Sequence, residues 1–201
     1  MAHSIKFITG NQGKVKSLQN YLFDLPIEVE GVAIDLIEPQ SMSIEYISQS
    51  KAKQAFEKLK SPLIVHDSGF FINSLNGFPG PYIKDISKLI GNQGIMKLMQ
   101  GITERSAYFL QSVSIVDKNG LVNTFTSKHD EGSICINFDN ENDNENELAW
   151  GSIWNIYIPP WSNKTLSQIS PEEIKQHEQL NDNKSEFRLL ANWLKENIDL
   201  I

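Results

Sequence analysis

Two lysines and two carboxylates in the first third of the chain could do chemistry together: Lys14, Glu38, Lys51 and Asp67. Carboxylate oxygens are hard ligands of the kind that Mg²⁺ takes in proteins, and ammonium groups neutralise phosphate oxygens. A carboxylate at such a site can also activate water. The four side chains therefore predict a site for a Mg²⁺-bound triphosphate, as one of several ways to combine these residue types.

The first lysine follows a small polar loop that begins with Thr9, Gly10 and Asn11. An apolar run precedes the loop and a helical pattern follows it, which predicts a strand, a tight loop and a helix. Free N–H groups at a helix N-terminus bind anions, and Lys14 would add a positive charge. The loop is not a P-loop, because Ile8 stands where that motif needs glycine. The alternative is an ordinary strand–helix junction.

Two further elements position the other charged side chains. Residues 27–37 are predicted to form a strand that leads to Glu38. Residues 43–60 are predicted to form a helix that Ser43 caps and that carries Lys51. Lys51 lies on the apolar stripe of that helix, where an ammonium is costly unless an anion meets it. The alternative is that its stem lies along the apolar surface while the ammonium reaches solvent.

A buried strand at 63–65 is predicted to deliver His66 and Asp67 to a turn that contains Ser68 and Gly69. Later in the chain, we expect helices over 86–100, in two pieces, and 183–197, and strands over 106–116, 121–129 and 132–138. Strands alternate with helices early and form hairpins later, which indicates an α/β fold with a mixed sheet.

Composition restricts the classes of protein further. The 201 residues are 40% hydrophobic with a net charge of −7, so we expect one domain over 1–201 that does not bind nucleic acid or anionic membrane through its overall field. Cys135 is the only cysteine, which excludes an internal disulfide and favours a reducing compartment and a buried apolar role. No signal peptide or membrane span is evident, so a cytoplasmic location is predicted.

An acidic low-complexity run occupies residues 137–147. Its alternating acidic residues resemble the spacing of a calcium loop, but the glycine that such a loop needs at its sixth position is missing. We therefore interpret the run as a solvated insertion.

Two sequence blocks together resemble a known family. TGNQGK at 9–14 and HDSGFFINSLNGFPGPYIK at 66–84 are similar to the motifs of the inosine triphosphate pyrophosphatase family, and SAYFLQS at 106–112 resembles the strand after them. LAWGSIW at 148–154 looks like a degraded form of that family's FGWDPIF block. The similarity covers essentially the whole chain and is most specific before residue 84.

The resemblance implies an elongated, two-lobed α/β fold with a long mixed sheet and a cleft between the lobes, and a homodimer. It also implies Mg²⁺-dependent hydrolysis of a nucleoside triphosphate to the monophosphate and pyrophosphate. By position it makes Asp67, Lys14 and Lys51 catalytic, and Glu38 and Asp67 metal ligands. The residues that it places against the substrate are Thr9, Gly10, Asn11, Lys14, Lys51, Ser68, Gly69 and, in the base pocket, Trp150.

The chain departs from the family pattern at several positions. Ser17 replaces a glutamate, His66 replaces the acidic residue before Asp67, and Lys184-Ser185-Glu186 stands in place of a Ser-His-Arg triplet that reads the base. In the FGWDPIF block, Leu148 and Gly151 replace phenylalanine and aspartate. Lost hydrogen-bond partners predict altered or relaxed base preference. The alternative is a catalytically impaired descendant that binds a nucleotide or a protein partner without turnover.

Overall fold

The computed structural model describes residues 3–138 and 152–201. Its strands are β1 (His3–Ile8), β2 (Ile27–Val32), β3 (Leu63–Ile72), β4 (Pro79–Gly80), β5 (Ser106–Val116), β6 (Val122–Lys128), β7 (Gly132–Ile134) and β8 (Tyr157–Ile158). Its α-helices are α1 (Gln12–Tyr21), α2 (Ile44–Leu59), α3 (Ile83–Leu89), α4 (Gly91–Leu98), α5 (Pro171–Asn181) and α6 (Glu186–Glu196). Within these ranges no helix is long and apolar enough to cross a membrane.

The described strands form one mixed sheet of eight, in the order β2-β1-β3-β5-β7-β8, with β4 paired to β3 and β6 paired to β5. β1 runs parallel to both β2 and β3. The pairs β3–β4, β5–β7 and β7–β8 are antiparallel. The parallel strands are joined through helices and the antiparallel ones come later in the chain, so the predicted α/β class with a mixed sheet is confirmed.

The first of two compact units comprises the described parts of Met1–Ser68, Gln111–Ser127 and Asp182–Ile201. In this unit β3 is covered on both faces. Alternate side chains of β3 meet different helices: Ile64 belongs to a cluster with α1 and α6, whereas Leu63 and Val65 belong to a cluster with Ala52 and Ala55 of α2. This is the period-two alternation of a strand that is buried on both sides.

The second unit comprises the described parts of Gly69–Leu110 and Lys128–Asn181. Its core contains an aromatic group in which the ring of Phe70 lies 4.8 Å from that of Phe109 and 5.5 Å from that of Tyr157. Cys135, 7% exposed, joins this core, and burial raises the pKa of its thiol. The predicted apolar role of the cysteine is therefore confirmed.

Serine side chains cap the starts of two helices. The hydroxyl of Ser43 accepts a hydrogen bond from the Tyr46 amide at 3.1 Å at the start of α2. Helix α5 begins at Pro171, and the Ser170 hydroxyl accepts from the Glu173 amide at 3.2 Å. A side-chain acceptor at this position satisfies one of the amides that a helix leaves unpaired at its N-terminus.

The predicted strand at 63–65 is too short. β3 continues to Ile72, because Phe70 and Phe71 pair with β4 and the apolar side chains beyond Gly69 are buried. Asp67 therefore lies in the middle of a strand and not in a turn at its end. The strands predicted over 27–37 and 132–138 are shorter than expected, and α6 begins at Glu186 because Ser185 caps it.

Candidate functional site

The alternation of β3 turns His66 and Asp67 to opposite faces of the sheet. His66 follows Ile64 toward α6, where its ring centroid lies 4.9 Å from that of Phe187. Asp67 follows Val65 toward α2. Because successive side chains of a strand point to opposite faces, two adjacent residues can serve two separate clusters of charged side chains.

The first cluster, on the α2 face, is built around Lys51. Its ammonium donates to Asp67 Oδ1 at 2.5 Å and lies 3.6 Å from Glu38 Oε2. The side chain of Lys51 is 19% exposed and that of Asp67 11%, whereas that of Glu38 is 61% exposed. Lys51 therefore turns away from bulk solvent, and the alternative of an ammonium on the outer face is wrong.

The other oxygen of the Asp67 carboxylate is the unusual atom of this cluster. Asp67 Oδ2 is buried and has no hydrogen-bond partner among the residues that the structure describes. A buried carboxylate oxygen without a donor costs free energy, and such atoms are rare in folded proteins. Asp67 therefore presents an acceptor beside a fixed positive charge.

A hydroxyl network holds α2, and with it Lys51, against the sheet. Ser48 lies one turn before Lys51, and its Oγ is 3.0 Å from Ser112 Oγ and 2.8 Å from Ser114 Oγ of β5. Ser48 is fully buried. Because these hydroxyls bond to one another inside the protein, the network fixes where α2 lies as well as adding to the packing.

The loop before α1 has the predicted form. The Thr9 hydroxyl accepts from the Asn11 amide at 3.1 Å, and Asn11 Oδ1 accepts from the Lys14 amide at 3.2 Å, so Asn11 caps α1. Gly10 and Asn11 are exposed, and a Cβ at position 10 would meet nothing within 4 Å. The strand–loop–helix prediction is confirmed, while phosphate binding by the loop stays a prediction.

The second cluster, on the α6 face, links Lys14 to buried groups. Lys14 Nζ lies 3.1 Å from His66 Nδ1, and His66 Nε2 lies 3.1 Å from Glu186 Oε1. The Ser127 hydroxyl donates to Glu186 Oε2 at 2.6 Å. The side chains of His66 and Glu186 are 2% and 4% exposed. This row of four side chains, Lys14–His66–Glu186–Ser127, is here called the buried relay.

The environment of the buried relay sets its protonation. Burial, and then the nearby Lys14 ammonium, lower the pKa of His66. Burial by itself would raise the pKa of Glu186, but the hydrogen bonds from His66 and Ser127 outweigh it and lower that pKa to about 2. A neutral imidazole beside an ionised carboxylate donates its Nε2–H to Glu186, and its Nδ1 then accepts from Lys14.

Sequence reasoning missed the roles of Glu186 and Ser127 and interpreted His66 as a loss. One signal was present: Glu186 lies four and eight residues before Leu190 and Leu194, on the apolar stripe of α6. A carboxylate on a buried stripe needs donors, just as a histidine within an apolar strand needs partners. Together these two positions indicate a buried pair.

The predicted metal ligands, Glu38 and Asp67, both lie beside the Lys51 ammonium. Within residues 3–138 and 152–201, no three His, Cys, Asp or Glu side chains are grouped as a metal site. Glu38 and Asp67 are nevertheless brought together by Lys51, and Asp67 Oδ2 has no donor from the described residues. Mg²⁺ is commonly held by one or two carboxylates, with water and phosphate oxygens as its other ligands, and this donor set matches that pattern.

The remaining predicted residues are placed as follows. Ser68, partly exposed, and Gly69, buried, come after Asp67 on β3. Trp150, Leu148, Gly151 and most of the acidic run at 137–147 lie outside the described residues. The residues of both clusters belong to the first unit: Lys14, Glu38, Lys51, His66, Asp67, Ser127 and Glu186.

Comparison with known proteins supports the resemblance seen in the motifs. The model of the Ham1 family matches residues 5–181. A dITP/XTP pyrophosphatase of Methanopyrus kandleri is 35% identical over 194 residues, covering 96% of this chain and 97% of that protein. A dITP/XTP pyrophosphatase of Thermococcus kodakarensis is 31% identical over 201 residues, covering 96% and 98%.

A solved structure supports the fold. The Ham1 protein of Staphylococcus aureus matches with a TM-score of 0.78 and 24% identity, covering 96% of this chain and 99% of that one. Because the family model spans most of the chain and relatives align over nearly their full length, this chain is a member of the Ham1 family.

Proposed function

We propose that this chain hydrolyses a nucleoside triphosphate to the nucleoside monophosphate and pyrophosphate, with Mg²⁺ and with altered or relaxed base preference. The observation that carries the proposal is the Asp67 carboxylate, which is held by Lys51 through Oδ1 and presents a buried, unsatisfied Oδ2. The relatives named dITP/XTP pyrophosphatase, which align along almost the entire chain, support the same class of reaction.

In the proposed mechanism, phosphate oxygens bind to the loop of Thr9, Gly10 and Asn11 and to the ammonium groups of Lys14 and Lys51. Ser68 and Gly69, next to Asp67 on β3, complete the proposed contacts with the substrate. Held by Glu38 and Asp67, Mg²⁺ would neutralise phosphate charge.

Asp67 is the proposed general base. Its Oδ2 accepts a proton from the water whose oxygen attacks the α-phosphorus, and the bond from that phosphorus to the bridging oxygen of the β-phosphate breaks. Pyrophosphate leaves with the electron pair of that bond. Lys51 keeps the carboxylate oriented, because it is fixed to the other oxygen.

Altered base preference is proposed because the residues in place of the Ser-His-Arg triplet have other contacts. The Ser185 hydroxyl accepts from the Arg188 amide at 3.2 Å as the cap of α6, and Glu186 is turned into the protein toward His66. Lys184 is exposed. A site specifies a polar base only by pairing its groups, so a changed set of donors and acceptors changes the preference.

The decisive variant is Asp67→Asn. It keeps the shape of the side chain and removes its capacity to accept a proton, so we expect pyrophosphate release to fall by about 100- to 10,000-fold while the melting temperature shows a folded protein. Asp199→Asn makes the same change on an exposed residue and is expected to retain activity. Full activity in Asp67→Asn would remove Asp67 from the mechanism.

The proposal extends to a homodimer, which comes from the resemblance, and to a cytoplasmic location, which comes from the single cysteine. Sedimentation velocity tests the first: a species of about twice the 22.8 kDa chain is expected. The alternative of a descendant that binds nucleotide without turnover is not favoured, because the relatives that align with the whole chain carry the name of an enzyme.

A further inference from the structure

We propose that Glu186, acting through His66, is a positioning residue that fixes the Lys14 ammonium for binding the triphosphate. This inference rests on the proposed function, because it assigns Lys14 to the phosphates. The buried relay is its basis. Its four side chains come from α1, β3, α6 and β6, and each lies within hydrogen-bond distance of the next.

Donors and acceptors in the relay can be assigned in one direction. The Ser127 hydroxyl donates to one oxygen of Glu186, and the other oxygen accepts Nε2–H of His66. That leaves His66 Nδ1 with a lone pair, and the Lys14 ammonium, which only donates, lies 3.1 Å away. The state of the imidazole at the Lys14 end is therefore set by the carboxylate at the far end.

Lys14 needs such an acceptor because of where it lies on α1. It is the third residue after the cap Asn11, and the first turn of α1 contains no acidic residue. The N-terminus of a helix carries a partial positive charge, which repels an ammonium. The His66 lone pair offsets that repulsion and directs the ammonium, so that it does not sample the positions open to a free lysine.

A role in stability alone explains the buried relay less well than the positioning of Lys14 does. A buried histidine–carboxylate pair gains little stability over apolar side chains of the same volume, because both groups must be removed from water. Phe187 and Leu190 already supply apolar packing beside it. What an apolar pair could not supply is an acceptor for Lys14 at the phosphate-binding loop.

The isosteric variant Glu186→Gln tests the inference. The Ser127 hydroxyl would still donate to the amide oxygen, which turns the amide NH₂ toward His66 Nε2. His66 would then carry its proton on Nδ1 and face Lys14 with a donor. Losing a hydrogen bond to a charged group predicts about 10- to 100-fold weaker binding of magnesium tripolyphosphate by calorimetry.

Two further measurements distinguish a role of Glu186 in positioning Lys14 from an effect on the stability of the protein. The KM for nucleoside triphosphate should rise by a similar factor while kcat falls less, at a temperature well below the melting point of each variant. ¹⁵N NMR of the His66 ring should show the proton on Nε2 in the wild type and on Nδ1 in Glu186→Gln. Glu28→Gln, the same change on an exposed residue of β2, should leave all three measurements unchanged.

A second pair of variants applies if Glu186→Gln fails to fold. His66→Asn can place a carbonyl oxygen near the position of Nδ1, whereas His66→Gln places its amide near the position of Nε2. The inference therefore predicts tighter tripolyphosphate binding in His66→Asn than in His66→Gln. Equal binding by these two variants would overturn it.

The outcomes of the two proposals are distinguishable. Wild-type binding of tripolyphosphate together with unchanged binding and KM in folded Glu186→Gln would overturn the positioning role alone. Tripolyphosphate binding by a wild type that releases pyrophosphate from no nucleotide would overturn the proposed hydrolysis. The positioning role would then be decided by whether the wild type binds tripolyphosphate more tightly than Glu186→Gln does. No binding by the wild type would overturn both.

Discussion

At the scale of single residues, the two departures at His66 and Glu186 prove to be in contact with each other. In the comparison with the family motifs, each of them is the loss of a family residue. Glu186 belongs to the three residues that stand in place of the family's Ser-His-Arg triplet, and His66 stands at an acidic position. Distance along the chain, 120 residues, hid the pairing from sequence reasoning.

Lys51 gives a prediction for stability. Lys51→Met removes the ammonium and leaves the mostly buried Asp67 carboxylate without its hydrogen bond. Because both side chains keep some exposure, we expect a loss of about 1–3 kcal/mol in the free energy of unfolding, and not the larger cost of a fully buried pair. Urea denaturation measures it. Lys51→Arg should lose less, and an unchanged midpoint in Lys51→Met would show that the pair adds nothing to stability.

Glu186 gives a prediction for pH dependence. Its folded pKa of about 2 lies below the ordinary value of 4.5, so its contribution to stability is present above pH 4.5 and is lost as the pH falls through 4.5 toward 2. The hydrogen bonds that lower this pKa come from His66 and Ser127, and Lys14 lies on the far side of the His66 ring.

The measurement compares the wild type with Glu186→Gln, which cannot titrate. The stability advantage of the wild type should shrink by about 1–2 kcal/mol between about pH 5.5 and about pH 3. Urea unfolding at a series of pH values measures this difference. The other carboxylates contribute nearly equally to the free energy of unfolding of both proteins, so their contributions largely cancel. A constant difference across the range would show that Glu186 has an ordinary pKa in the folded protein.

At the scale of elements, the sequence predicted the helix starts, because these depend on interactions between neighbouring residues. Helix α2 and its Ser43 cap follow from a serine before an apolar stripe, and Asn11 caps α1 at the predicted loop. The end of β3 could not be predicted in the same way. Gly69 suggested a turn, but the pairing of Phe70 and Phe71 with β4, a contact within the sheet, keeps the strand extended.

Helix α2 gives a prediction at this scale. Ser48→Ala removes the hydroxyl that joins α2 to Ser112 and Ser114, so we expect about 1–2 kcal/mol of lost stability and, because Lys51 follows one turn later, a higher KM. Urea unfolding and steady-state kinetics measure the two effects. Ser50→Ala, on the same helix but outside the Ser48–Ser112–Ser114 contacts, is the control. Equal effects in both variants would contradict a special role for the network.

At the scale of the whole molecule, the first unit brings together residues that are far apart in the sequence. Lys14, Lys51 and Asp67 come from the first of its three stretches, Ser127 from the second and Glu186 from the third. The α/β class was predictable because alternation and helical periodicity are local, and the motifs at 9–14 and 66–84 predicted the family. The assignment of one domain to 1–201 stays a prediction.

The central claim is that this member of the Ham1 family hydrolyses nucleoside triphosphates through Asp67. The most direct test is pyrophosphate release with Mg²⁺ across inosine, xanthosine and the standard nucleoside triphosphates, in ribo and deoxy forms, for the wild type and Asp67→Asn. We predict release from at least one of them by the wild type and almost none by the variant. No release from any nucleotide by a folded wild type, or equal release by both proteins, would contradict the account.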